Sequence, residues 1–251
     1  MVNRDELAKY LEHLLEIPRF RDYCPNGLQL EGKPTVRLLV SGVTACLALI
    51  EAAVELQADA ILVHHGYFWR DENPCIIGHR QKRLKMLLQN DINLYAYHLP
   101  LDQHPEFGNN VLLSKQIGLQ PDGRFGANDL GWLGTVPGAL TRTVGDLANL
   151  VEKRLGRQPL LIGDPEQLLG RVGWCSGAAQ DLLLDAANAG ASAYISGEIS
   201  EQTVHLARET GVAYLACGHH ATERYGVEAL GAQIACEFGI RHQFVDISNP
   251  A

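Results

Sequence analysis

The sequence predicts an α/β fold of two linked, related lobes built on mostly parallel sheets. Three observations predict it. Short apolar strands alternate with amphipathic helices, the pattern of parallel strands joined by crossover helices. Ser41-Gly42, Glu51-Ala-Ala53 and Ala58-Asp-Ala60 are echoed by Ser176-Gly177, Asp185-Ala-Ala187 and Ala191-Ser-Ala193, at an offset of 133 to 135 residues. That suggests two related units, the alternative being that any two βαβ units look this similar. Histidines and carboxylates also gather where strands end, and open α/β sheets bind ligands there.

Taken in order, residues 3–16 place Leu7, Tyr10, Leu11, Leu14 and Leu15 at helical spacing. Leu38 to Val43 reads as a strand, 47–56 as a helix, and Ala58 to Val63 as a buried strand running into His64-His65-Gly66. A basic helix over about 79–90 leads to the strand Asn93 to His98. In the second half, Trp174 to Gly177 is a strand end, and 181–188 a helix. Ala191 to Ser196 is a strand ending in Gly197-Glu198. Helix 201–210, strand Val212 to Cys217, a helix over about 222–238 and the strand His242 to Ile247 follow. The first lobe is drawn as residues 1–124 and the second as 125–251, with the Gly- and Pro-rich stretch 122–140 as the passage between them. The final helix and strand, about 219–251, are left free to pack on the first lobe.

Composition narrows the function. The chain has 251 residues, 46% of them apolar and 20% charged, the balance of an ordinary globular protein. Lys and Arg number 21 against 29 Asp and Glu, a net charge of −8, so a broad nucleic-acid footprint is not expected. Apolar runs are too short to span a bilayer, and the N-terminus has no apolar signal core. Six cysteines without a CxxC pair read as free thiols of a reducing cytosol, which makes the cytoplasm the expected location. No P-loop, GxGxxG or GxSxG motif is present.

The candidate site is assembled from three strand ends: His64 and His65, then His98 and Asp102, then His219 and Glu223. Imidazoles and carboxylates without a thiol suit Zn, Mn, Fe or Co. Five donors exceed one tetrahedral catalytic site and suit two metals about 3.5–4 Å apart with one carboxylate bridging. Adjacent side chains of a strand diverge, so His64 and His65 would each serve one metal if the chain turns at Gly66. His219 and Glu223, four apart, face one point from the first turn of a helix starting near Ala221 or Thr222. The metal site is therefore expected at strand ends.

These same stretches, Val63-His-His-Gly66, Tyr97-His-Leu-Pro-Leu-Asp102 and Gly218-His-His-Ala-Thr-Glu223, resemble the signatures of the YbgI-type, NIF-three-like family of dinuclear-metal proteins. Its members carry the name GTP cyclohydrolase 1 type 2 homologue. Pro25-Asn-Gly-Leu-Gln-Leu30, Gly108-Asn-Asn-Val-Leu112 and Tyr194-Ile-Ser-Gly-Glu198 extend the resemblance over nearly the whole chain. It implies two linked α/β lobes, a dinuclear divalent-metal site at strand ends between them, and a homohexameric ring. It also implies that His64 and His219 bind one metal, His65 and Asp102 the other, and that Glu223 bridges both. His220 falls outside that ligand set, and the Leu99-Pro100 spacer departs from the usual small polar residues.

Glu198 and His98 are the catalytic candidates. Glu198 occupies the place in the second lobe that His65 has in the first; it is an outer acid or base, or else a helix N-terminal carboxylate. His98 lines the pocket or is a core histidine bonded to backbone. His205 is weighed as a partner of Glu198, Gln29 as a substrate contact, and Arg70, Arg80 and Lys82 as a positive field for an anionic substrate. His220 reads as a surface histidine and Cys217 as a buried thiol. Two functions stay open. One is a dinuclear metal-dependent hydrolase of a nucleotide or related phosphoester, with purine ring opening of the GTP cyclohydrolase kind as its specific form. The other is a non-catalytic metal-binding chaperone or scaffold.

Overall fold

The computed structural model describes residues 1–138 and 140–251. Along the chain run β1 (Val2–Asn3), α1 (Arg4–Leu14), β2 (Gly27–Leu30), β3 (Thr35–Val36), β4 (Leu38–Thr44), α2 (Leu47–Glu55) and β5 (Ala60–His65). Next come α3 (Gly78–Gln89), β6 (Asn93–Ala96), α4 (Leu99–Gln103), α5 (Asn109–Ile117), β7 (Gln120–Phe125), β8 (Gly131–Thr135) and α6 (Val144–Leu155). The rest is β9 (Leu160–Ile162), β10 (Arg171–Trp174), α7 (Leu183–Asn188), β11 (Ala191–Ser196), α8 (Glu201–Thr210), β12 (Ala213–Ala216), α9 (His219–Phe238) and β13 (Arg241–Phe244). None of the described helices is long and apolar enough to cross a membrane.

The chain divides into two compact units. One holds Met1–Phe107 with Arg224–Ser248; the other holds Gly108–Glu223 with Asn249–Ala251. The division therefore passes through α9, whose first turn belongs to the second unit and whose remainder belongs to the first.

The first unit is a five-stranded sheet in the order β13-β4-β5-β6-β2, parallel throughout except for the edge strand β2. Its inner strands β4, β5 and β6 are apolar on both faces, as a sheet covered on both sides requires. Leu39, Leu62, Tyr95 and Tyr97 point to the face covered by Leu7 and Leu11 of α1 and by Val227, Leu230 and Ile234 of α9. Val40, Ile61, Val63 and Leu94, one residue out of step, point to the face covered by α2 and α3. The period of two assigns each side chain to its layer. α1 starts where the Asn3 side chain accepts from the Asp5 and Glu6 amides.

The second unit is a six-stranded sheet in the order β7-β8-β10-β11-β12-β9. Only β10-β11-β12 is parallel; β7, β8 and β9 are joined antiparallel. The mostly parallel expectation thus fails for this sheet, which is mixed. The reason lies in the stretch read as a passage. Residues 120–135 form the hairpin of β7 and β8, with Phe125 and Leu133 buried in the same core as Tyr194 and Tyr214. A connection this short can join only antiparallel neighbours. Ala139, inside the same stretch, lies outside the described residues. α5 is tied to β10 by Trp174 Nε1, which donates to the Asn110 carbonyl at 3.0 Å.

Both units carry three consecutive parallel strands side by side, β4-β5-β6 and β10-β11-β12. His64, His65, His98, Asp102, Glu198, His219 and Glu223 each lie at or beyond the carboxyl end of one of them.

Candidate metal centre

In the first unit, β5 does not stop before its histidines but runs through them to His65. His64 is fully buried, and its ring is tolerated there because Nδ1 bonds the Tyr97 carbonyl at 2.9 Å. A carbonyl only accepts, so Nδ1 carries a proton. Nε2 lies 3.4 Å from Asp102 Oδ1. His65, half-buried, has Nδ1 3.3 Å from Thr44 Oγ1, its register partner on β4. The two rings are 4.5 Å apart between centroids despite their alternation along the strand. His98 joins them, so that His64, His65 and His98 each bring one donor atom within 4.8 Å of the others.

Asp102 is buried in the first turns of α4, a helix absent from the sequence reading. Its start is held by Asp22 and Asn26. Asp22 Oδ2 accepts from the Leu99 amide at 2.9 Å and Asn26 Oδ1 from the His98 amide at 2.7 Å. Asp22 Oδ1 lies 2.8 Å from His98 Nδ1. Burial pushes the Asp22 carboxyl up, but the His98 ring, the Asn26 amide and the Leu99 amide outweigh it and hold it at about 2. Sequence reasoning missed Asp22. An isolated Asp in an irregular segment has no periodic signal, although Asn26 and Gly27 did mark the turn beside it.

In the second unit, α9 begins at His219, three residues before the helix suggested by sequence, so both His219 and Glu223 are helical. His219 Nε2 lies 2.9 Å from Glu223 Oε2, and His219 Nδ1 lies 2.7 Å from Glu198 Oε1. Burial of the imidazole lowers its pKa, but the Glu223 and Glu198 carboxylates raise it more, to about 9. Glu198 follows β11 and stands partly exposed. Gly177, after β10, approaches this pair with a φ of +67°; a Cβ there would overlap the Glu223 carboxylate and lie 3.2 Å from His219 Nε2. Only glycine takes that conformation cheaply and leaves the carboxylate its room.

Donor chemistry tests the fit to a divalent ion. His64 and His219 each have Nδ1 held by an oxygen acceptor and Nε2 facing a carboxylate oxygen. An imidazole lone pair opposite an anionic oxygen needs a proton or a metal between them, and an acceptor behind Nδ1 is the usual support of a metal-bound histidine. The residues present fit divalent metal.

Other candidates settle elsewhere. Gln29 spends its amide on the protein: Oε1 accepts from the Tyr67 amide at 2.7 Å, and Nε2 donates to the Pro25 and Tyr67 carbonyls. Both N–H bonds of that amide are thus spent within the protein. His205 pairs with Glu201 on an exposed helix face, not with Glu198. His220 is buried rather than on the surface, and its amide donates to the Ala251 carbonyl. Arg70 donates to the Asp22 carbonyl, Arg80 pairs with Glu72 at 3.6 Å, and Lys82 is solvated, so the first two already have partners of their own. Cys217 is buried and desolvation pushes its thiol up to about 12; no disulfide joins any of the six cysteines.

Comparison with known proteins covers the whole chain. The profile of the Duf34/NIF3 (NGG1p interacting factor 3) family matches residues 2–250. A Pseudomonas aeruginosa protein named GTP cyclohydrolase 1 type 2 homolog is 52% identical over 248 residues, 98% of this chain and 97% of its own length. An Escherichia coli protein of the same name is 48% identical over 250 residues, 98% of each chain. Among solved structures, the protein ybgI, titled as of unknown function, superimposes with a TM-score of 0.95 at 47% identity over 100% of both chains. A Thermus thermophilus structure gives 0.86 at 36% identity, again over 100% of both.

Proposed function

The chain belongs to the Duf34/NIF3 family, and on that premise we propose that it is a dinuclear divalent-metal hydrolase of a nucleotide or related phosphoester. His64, His65, Asp102, His219 and Glu223 hold the metals in this reading. Glu223 would be shared by both ions, His64 and His219 would hold one, and His65 and Asp102 would hold the other. The carrying observation is the arrangement shared by His64 and His219, each with Nδ1 on an oxygen acceptor and Nε2 toward a carboxylate. Zn, Mn, Fe and Co all suit such donors.

A divalent ion so bound supplies Lewis acidity and a water that ionises near neutral pH. The protein's own part is orientation and proton handling. The Tyr97 carbonyl fixes the His64 tautomer, and Glu198 holds the His219 ring from behind while keeping one face toward solvent. That exposure suits Glu198 to pass protons between the site and water. His98 is the second proposed catalytic group. The name shared by the relatives suggests a purine nucleotide and ring opening by water. The small-molecule substrate, the homohexameric assembly and the cytoplasmic location belong to the same proposal.

The test is metal analysis followed by a nucleotide-panel hydrolysis screen of the metal-replete protein. Two metals per chain, with turnover abolished in Glu223→Gln, support the hydrolase. Tight metal binding without turnover, together with transfer to an apo-acceptor, favours a metal chaperone or scaffold. One metal per chain removes the dinuclear centre, and a stable monomer by light scattering removes the hexamer.

A further inference from the structure

The three imidazoles of the first unit are not equivalent. His64 turns Nδ1 to a backbone carbonyl, His65 turns it to a hydroxyl, and His98 alone turns it to a carboxylate. That carboxylate, Asp22, is only 3% exposed and its oxygens are fully engaged. Oδ1 accepts from the Tyr23 amide at 2.6 Å and faces His98 Nδ1 at 2.8 Å; Oδ2 accepts from Asn26 Nδ2 and the Leu99 amide, both at 2.9 Å. Four donors therefore converge on two oxygens. The carboxyl stays ionised at neutral pH and can only accept. A bare Nδ1 would set one lone pair against another, so His98 must carry a proton there.

The other face of the ring is fixed as well. Trp69 packs edge-on against His98 at 5.0 Å with an interplanar angle of 83°. The His64 and His65 ring centroids lie 5.1 and 5.8 Å away. With Nδ1 committed to Asp22, Nε2 is the nitrogen His98 has to offer that cluster.

We propose that Asp22 is a positioning residue that locks His98 as the Nδ1–H tautomer, so that Nε2 stands beside His64 and His65 as a hydrogen-bond acceptor for a water or substrate hydroxyl. The acceptor role rests on the metal-site reading above; the tautomer does not. Asp22 acts on the ring and on the start of α4 through the same carboxylate, so the orientation of His98 and the placement of Asp102 are coupled.

Two-bond proton–nitrogen spectra of 15N-labelled, metal-free protein at about pH 8.5, roughly two units above the ordinary imidazole value, read the tautomer directly, with His98→Gln supplying the assignment. The expected result is a protonated Nδ1 and a bare Nε2 in the wild type. In Asp22→Ala the ring should shift toward the Nε2–H form that an unconstrained imidazole favours. A wild-type ring that is Nε2–H or doubly protonated overturns the proposal, and needs no variant to fold. A merely structural Asp22 would cost stability and leave the tautomer unchanged in Asp22→Ala, which also overturns it. Zinc added alone should shift the His64 and His65 ring nitrogens strongly and His98 Nε2 little. A coordination shift at His98 equal to theirs makes it a ligand and ends the acceptor role. Zinc that moves no ring nitrogen sinks the metal centre instead, while the tautomer still decides for or against Asp22.

Discussion

Glu198 Oε1 lies 2.7 Å from His219 Nδ1, although 21 residues separate them in the chain. β11 delivers the carboxylate and α9 the imidazole, and the bond leaves His219 Nε2 directed at Glu223. Glu198→Gln keeps the size of the side chain but removes the charge that favours a proton on Nδ1. Metal affinity at His219 should fall about 10- to 100-fold, the usual cost of losing a carboxylate behind a ligating histidine. Zinc competition against a chelator of known affinity measures it; unchanged affinity would show that Glu198 does not support a ligand.

Glu223 and Asp102 should separate on metal content. If Glu223 bridges, Glu223→Gln lowers the occupancy of both metals, whereas Asp102→Asn spares the one at His219. A carboxylate that serves only the first turn of α9 would cost about 0.5–1 kcal/mol of stability and leave metal content unchanged. Elemental analysis and a thermal midpoint on one Glu223→Gln sample tell the two apart.

Gly177 has no functional group, yet its replacement should damage the site. In Gly177→Ala the new methyl would overlap the Glu223 carboxylate, in a backbone conformation that costs an L-residue about 1 kcal/mol. Glu223 must swing away, so metal binding should drop at least tenfold in a protein that still folds. Calorimetric zinc titration beside far-ultraviolet circular dichroism checks both halves, and wild-type affinity in a folded variant contradicts the geometry.

Asp22 sets an acid limb of stability. Its folded-state value of about 2 lies below the ordinary 3.8, so the ionised form is favoured by folding. That contribution, on the order of 1 kcal/mol after allowing for solvent screening, is present above 3.8 and lost as the pH falls toward about 2. Denaturation of wild type and Asp22→Ala should therefore give a stability gap that is widest above pH 3.8 and narrows toward pH 2. A gap independent of pH in that window would mean the carboxylate is not the titrating group.

Much of this protein was written in local patterns. Strands β4, β5, β11 and β12 and helices α2 and α8 announce themselves by apolar runs, helical spacing and glycine ends. The residues that follow such strands are confined to a sheet edge by the backbone alone. Hence His64, His65, Asp102, His219 and Glu223 could be picked out from sequence as candidates. Their chemistry is likewise a property of residue type, since imidazoles and carboxylates suit divalent metal wherever they meet.

Tertiary structure decided the rest, because partners distant in sequence leave no periodic trace. The hairpin of β7 and β8 looked like a passage, since its glycines hide strands that the β10 ladder and the buried Phe125 and Leu133 hold in place. Gln29 looked free until Tyr67, 38 residues on, claimed its amide. Asp22 gave no signal at all, since the ring it faces lies 76 residues away in the chain. The sequence by itself determined which side chains could carry chemistry and on which edge of a sheet they stand. Which nitrogen of each histidine faces inward was decided only by the fold, through the acceptor placed behind it.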